Sequence, residues 1–200
     1  MDGPVCAYAP SGQVEIWYLY EASPISSQNV SVNVTGSTSD GIGLIAFGVS
    51  GASSNAATDG TCGTGTSSSS NTPSVTLSSL SYSNDFIIGA VLATGSGSGV
   101  SAWSATSPTT LISSGIGAQG AKGGNAAGYQ LGVVGQTTQT VAFSISGSVA
   151  SWDEVAVALE ASSTTPIPLF PQGAIPVIVA TLGCYIIMRR RLRRAGAQVG

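Results

Sequence analysis

Residues 29–35 (NVSVNVT) alternate without a break, with Val30, Val32 and Val34 on one side and Asn29, Ser31, Asn33 and Thr35 on the other. A period of two sends successive side chains to opposite faces of an extended chain, so this segment predicts a half-buried β-strand. Val141, Phe143 and Ile145 follow the same rule within 140–145. Val155, Val157 and Leu159 do so against Glu154, Ala156, Ala158 and Glu160. Further strands are expected at 14–20, 74–77 and 128–134. The runs at 42–49 and 86–93 are apolar on both faces, as in strands buried within a sheet. The pattern places Val30, Val32, Val34, Leu44, Ala46, Ile88, Ala90, Leu92, Val141, Phe143, Val155, Val157 and Leu159 in the core. Turn signals separate the runs: Ser23-Pro24, Ser39-Asp40-Gly41, Ser83-Asn84-Asp85 and Gly95-Ser96-Gly97-Ser98-Gly99. Residues 51–73, rich in Gly, Ser, Thr and Ala, predict a long surface loop. About eight to ten short strands so punctuated predict an all-β fold, an antiparallel β-sandwich of Ig-like or jelly-roll-like kind.

The C-terminal pattern differs. Residues 173–188 (GAIPVIVATLGCYIIM) carry no charge, and the apolar stretch reaches back to about 168 with Gln172 interrupting. That length approaches the roughly 20 residues a helix needs to cross a bilayer. Arg189, Arg190, Arg191, Arg193 and Arg194 follow at once, so the positive-inside rule puts the C-terminus in the cytoplasm and the β domain outside. The expected organisation is a β-sandwich ectodomain at 1–161, a Pro/Thr-rich linker at 162–172, a single transmembrane helix at 173–188 and an Arg-rich cytoplasmic tail at 189–200.

Charge sharpens this division. Only 8% of the chain is charged, and all nine acidic residues lie between Asp2 and Glu160. Lys122 is the one cation ahead of the arginine cluster, which leaves 1–161 with one positive charge against nine negative. A domain so short of Lys and Arg cannot neutralise phosphates, which excludes nucleic acid as its partner. Cys6 and Cys62 fall in this domain and Cys184 in the apolar tail. In an oxidising compartment the first two either pair, closing a loop of roughly 55 residues for about 4 kcal/mol, or stand as separate thiols.

Several segments together resemble a family. Val14-Glu15-Ile16-Trp17-Tyr18, Trp103-Ser104-Ala105 leading to Leu111-Ile112-Ser113-Ser114-Gly115, Gly128-Tyr129-Gln130 and Ser151-Trp152-Asp153-Glu154-Val155 occur in that order. The order is similar to that of a loosely defined family of exported prokaryotic β-sandwich surface domains, mostly of unknown function. The likeness spans about 5–161. The tail from Ile167-Pro168-Leu169-Phe170-Pro171-Gln172-Gly173 onward resembles the membrane tails of archaeal surface proteins. Such domains carry strands ahead of the one bearing Trp17. The resemblance therefore implies an open sheet edge near residues 14–20, to be filled by upstream strands or by a strand from a like surface protein.

Reactive chemistry is sparse. Without histidine there is no Ser-His-Asp triad and no His-bearing zinc site. Gly115-Ile116-Gly117-Ala118-Gln119-Gly120 spells a dinucleotide fingerprint, but no helix pattern follows and Thr140 stands where an acid should hold the ribose. Asp153 and Glu154 are adjacent, so on a strand they face opposite ways; Glu15 with Glu154 forms a carboxylate pair only if their strands are neighbours. Asp40, Asp59 and Asp85 lie at turns with no D-x-D spacing, and neither a metal site nor a cofactor is expected. Trp17, Trp103 and Trp152 are the candidate platform for stacking sugars. Asn29-Val30-Ser31 and Asn33-Val34-Thr35 are glycosylation sequons, with Asn29 and Asn33 on the polar face of one predicted strand. The expected function is a membrane-anchored structural or interaction protein of the cell surface, not an enzyme, partnered by lipid and by surface glycans or like proteins. The alternative is a polysaccharide-binding module. A carboxylate-dependent glycan-active enzyme is the least favoured reading.

Overall fold

The computed structural model describes residues 5–10, 12–20, 30–32, 43–53, 58–81, 84–117, 122–132 and 136–161. Among them are β1 (Cys6–Tyr8), β2 (Val14–Ile16), β3 (Asp59–Ser67), β4 (Ser74–Leu77), β5 (Phe86–Ala105), β6 (Thr110–Ile116), β7 (Gly124–Leu131) and β8 (Gln139–Leu159), with no helix. Every strand pairing is antiparallel, so the described protein is all-β. The chain divides into Met1–Ile167 and Pro168–Gly200, and the second unit lies outside the described residues.

The two clearest alternations in the C-terminal third belong to one strand. Residues 140–145 and 153–159 are both in β8, which pairs with β5 from Phe86↔Leu159 to Ala105↔Phe143. Along this ribbon the register slips repeatedly between Thr94 and Ala102. Gly99 takes φ of 78° and Gly147, across the ribbon near it, takes 103°, values that a side chain strongly disfavours. The Gly95–Gly99 turn expected from sequence is therefore a bulged bend inside a continuous strand.

Past the bend the ribbon folds back over its own first half. The near layer has the order β3-β8-β5-β7-β6, while β4 pairs with the far half of β8, Val75 opposite Val141. In the near layer Gly63, Ala156, Gly89 and Gly128 stand side by side in four neighbouring strands. That row is a trough with almost no side chains, and the far layer fills it. A Cβ on Gly128 would lie 2.9 Å from Phe143 Cε1, and one on Gly65 would lie 2.9 Å from Val75 Cγ2. Val75, Leu77, Ile87, Val91, Val141, Phe143, Ile145, Ala156 and Ala158 form this inner core. The opposite face of the near layer, with Phe86, Ile88, Val155, Val157 and Leu159, is covered by Cys6, Val14 and Ile16 of the β1–β2 hairpin.

Ser74–Leu77 is a strand at the expected bounds, whereas other expectations are corrected. Residues 51–73 hold β3 rather than one long loop, because Gly63 and Gly65 sit where Val75 and Leu77 approach and a larger residue would not fit. Residues 43–49 form no strand, and Leu44 and Ala46 are exposed; the central places in the sheet are held by β5 and β8, apolar on both faces. Val30 and Val32 are exposed in a segment without a ladder, so alternation there has no sheet to serve; Val34 lies outside the described residues. The aromatic strand expected at 14–20 ends at Ile16, where its partner β1 runs out. Of the remaining core positions, Ile88, Val141, Phe143, Val155, Val157 and Leu159 are buried, and Ala90 and Leu92 are half-buried.

Candidate functional site

Cys6 and Cys62 form a disulfide, with Cα atoms 5.5 Å apart. It fastens the β1–β2 hairpin to β3, at one edge of the near layer. A second tie is the Gly12 N–H, which donates to Asp153 Oδ2 at 2.7 Å. A three-residue hairpin is too short to hold itself together, so these cross-links fix it over the apolar outer face.

Asp153 and Glu154 face opposite ways, and that separates their chemistry. Asp153 turns to the hairpin, whereas Glu154 stands opposite Val91 and Gly65 in the row beside the glycine trough, on the inner face. Glu154 is 0% exposed, and neither carboxyl oxygen has a hydrogen-bond partner. Burial alone pushes its pKa from 4.5 up to about 9, so the group is a neutral acid at pH 7. Glu15 lies on the hairpin beyond the other face and accepts from Gln13 Nε2 at 2.5 Å and Trp17 Nε1 at 2.7 Å. A Glu15–Glu154 pair is ruled out because the sheet stands between them.

The tryptophan platform is also corrected. Trp103 and Trp152 are 9% and 6% exposed and belong to the inner core, where no sugar can stack on them. Trp17 is 44% exposed and is followed by exposed Tyr18, Leu19 and Tyr20. Three of the exposed aromatics among the described residues thus share one short segment beyond β2, with Phe47 elsewhere in the chain, and the tryptophans form no triad. The indole N–H groups of Trp103 and Trp152 are buried without partners. A satisfied network lies elsewhere in the fold: Ala142 N–H donates to Thr109 Oγ1, which bonds Gln130 Oε1, and Gln130 Nε2 donates to Gln139 Oε1.

A second acidic feature closes one end of the near layer. Asp59 opens β3 and Asp85 immediately precedes β5, with Asp59 accepting from the Ser81 N–H at 2.6 Å. Asp85 is 0% exposed, and burial, then the adjoining Asp59 carboxyl, push its pKa from 3.8 up to about 7. The Ala161 backbone offsets part of that rise without reaching hydrogen-bond geometry, since both Asp85 oxygens lack a partner. Sequence reasoning took both residues for turn formers, and only the fold brings them together.

The glycine-rich fingerprint is a hairpin connection. Gly115 and Ile116 end β6, Gly117 N–H donates to Gly123 O, and β7 follows. Lys122 lies in this connection, its carbonyl accepting from Val100 N–H at the bend. Asn29, Asn33 and Arg189, Arg190, Arg191, Arg193 and Arg194 lie outside the described residues. Among the described residues no helix is long and apolar enough to cross a membrane. Comparison with protein-family models, with curated proteins and with solved structures finds no match.

Proposed function

We propose that this chain is a membrane-anchored surface protein that displays a β-sandwich outside the cell as a structural or interaction module. The observation that carries the reading is the Cys6–Cys62 disulfide, a bond kept in oxidising compartments and rare in the cytosol. The sequence beyond 161 supports it: a Pro/Thr-rich linker, an apolar stretch at 173–188 and the arginines that would hold its end in the cytoplasm. Membrane lipid is the partner of that stretch. The two layers folded over one inner core support the sandwich, and the resemblance to exported surface domains agrees with it. The non-enzymatic part of the reading is supported by the state of Glu154, which is neutral and sealed off, and by the lack of histidine in the sequence.

The test is topological. In cells expressing the chain with an epitope after Gly200, protease added outside should remove the domain and leave the epitope protected. Carbonate washing should not extract the protein, and deletion of 166–200 should release a soluble domain with unchanged β-type circular dichroism. Extraction by carbonate, or loss of the epitope to external protease, contradicts the reading. The second reading, a glycan-binding module, now rests on the exposed Trp17, Tyr18 and Tyr20 alone. Retention of the domain on immobilised polysaccharide, lost in Trp17→Ala, would favour it.

A further inference from the structure

We propose that Asp59 and Asp85 hold a divalent cation, calcium by preference, at the end of the near layer where β3 and β5 begin. The two carboxyl groups adjoin, and both residues are buried, Asp85 completely. Both Asp85 oxygens lie in the interior with no hydrogen-bond donor. A carboxyl group so placed needs positive charge or a hydrogen bond to be held away from water. No side chain of the domain supplies the charge. Lys122 is its one cation and sits by the bend midway along β5, away from the strand's start, while Glu160 adds a further negative charge near Asp85.

The donor set selects the ion. The protein has no histidine, and Cys6 and Cys62 are spent in a disulfide, so zinc lacks its preferred ligands. Oxygen is what remains: two carboxylates, with the Ser78 and Ser79 carbonyls bordering Gly60 next to Asp59. Among the described residues no third Asp, Glu, His or Cys joins them in a metal-holding group, so backbone oxygen and water must complete the shell. Calcium accepts such a mixed and irregular set, whereas magnesium demands a near-ideal octahedron.

The experiment uses the purified full chain in detergent, stripped with chelator, with calcium chloride as probe and ionic strength held constant. Calcium at about 100 times its dissociation constant should raise the melting temperature by about 5–10 °C. Titration calorimetry should give one site, and magnesium chloride at the same concentration should give a much smaller shift. Asp85→Asn keeps the shape and removes the charge, so it should fold and lose the calcium response. Asp59→Asn provides the same test if that variant does not fold. No calorimetric binding and no shift in calcium up to about 10 mM, a weak extracellular-module affinity being about 1 mM, would overturn the proposal. An equal response to magnesium, or a response retained in a folded Asp85→Asn or Asp59→Asn chain, would overturn it as well.

Discussion

The two faces of the near layer are both buried, but by different means. The inner face is covered by the chain's own continuation, because β5 and β8 bend at Gly99 and Gly147 and lay Phe143 and Val141 into the glycine trough. The outer face is covered by a short hairpin that brings three buried side chains and is held by the Cys6–Cys62 bond. One cover is part of the main ladder and cannot leave without dissolving it. The other is an attachment, and its stability depends on a cross-link between segments far apart in sequence. The same sheet thus has a cooperative side and a detachable one.

The largest effect should come from the inner side. Phe143→Ala removes a fully buried ring over Gly128 and should cost about 3–5 kcal/mol in urea unfolding. A loss below about 1 kcal/mol would mean that the face assignment of β8 is inverted. On the outer side, Cys62→Ser should cost about 2–4 kcal/mol, and its signature should be local. Hydrogen exchange should show the amides of Cys6–Ile16 losing protection while those of Val155–Leu159 keep theirs; uniform loss would mean that the hairpin is not a separate unit.

Glu154 sharpens the comparison through pH. Its pKa is raised, so the folded state keeps a proton that the unfolded state releases above about 4.5. Stability should be full below that pH and fall as pH rises through about 9, by about 1 kcal/mol per pH unit between. Glu154→Gln should flatten that part of the profile, measured as unfolding midpoints at several pH values; an unchanged slope would assign it to other groups. The smallest effect belongs to the surface. Trp17→Ala should change stability by no more than about 0.5 kcal/mol by thermal melting, since the ring is nearly half exposed.

Much of the inner side was legible in the sequence, and for a physical reason. Val141, Phe143 and Ile145 alternate with half-buried Ala142 and Ser144 because one side of that half of β8 faces the inner core, and that periodicity survives in the letters. Val155 and Val157 alternate in the same way, but toward the hairpin on the outer face. The trough was not legible. Gly63, Gly65, Gly89 and Gly128 are required by the volume of side chains arriving from the far layer, and glycine in a row of Ser and Thr looks the same when it marks a loop. Apolar content misled in the other direction: Leu44 and Phe47 read as interior, yet they lie exposed among residues with no ladder. The candidate sites were hidden more deeply. Nothing in the spacing of Asp59 and Asp85 signals that two turn residues meet, and nothing beside Glu154 signals that its carboxyl is buried without a hydrogen-bond donor while that of Asp153 finds one.

The placement of β8 also has a mechanical consequence. The described chain leaves the sheet through Leu159 and Ala161, directly from a strand flanked by β3 on one side and β5 on the other. Tension applied to the segment after Ala161 therefore runs along an interior strand, not along an edge. In an antiparallel ladder the hydrogen bonds lie across that direction, so the load falls on both rows at once, in shear. An edge strand pulled from its end would peel away bond by bond at low force. A tether on β8 must instead slide against two neighbours together, with the rings of Phe143 and Trp152 locked in the core beneath, so this domain should resist a steady pull far better than its equilibrium stability alone would suggest.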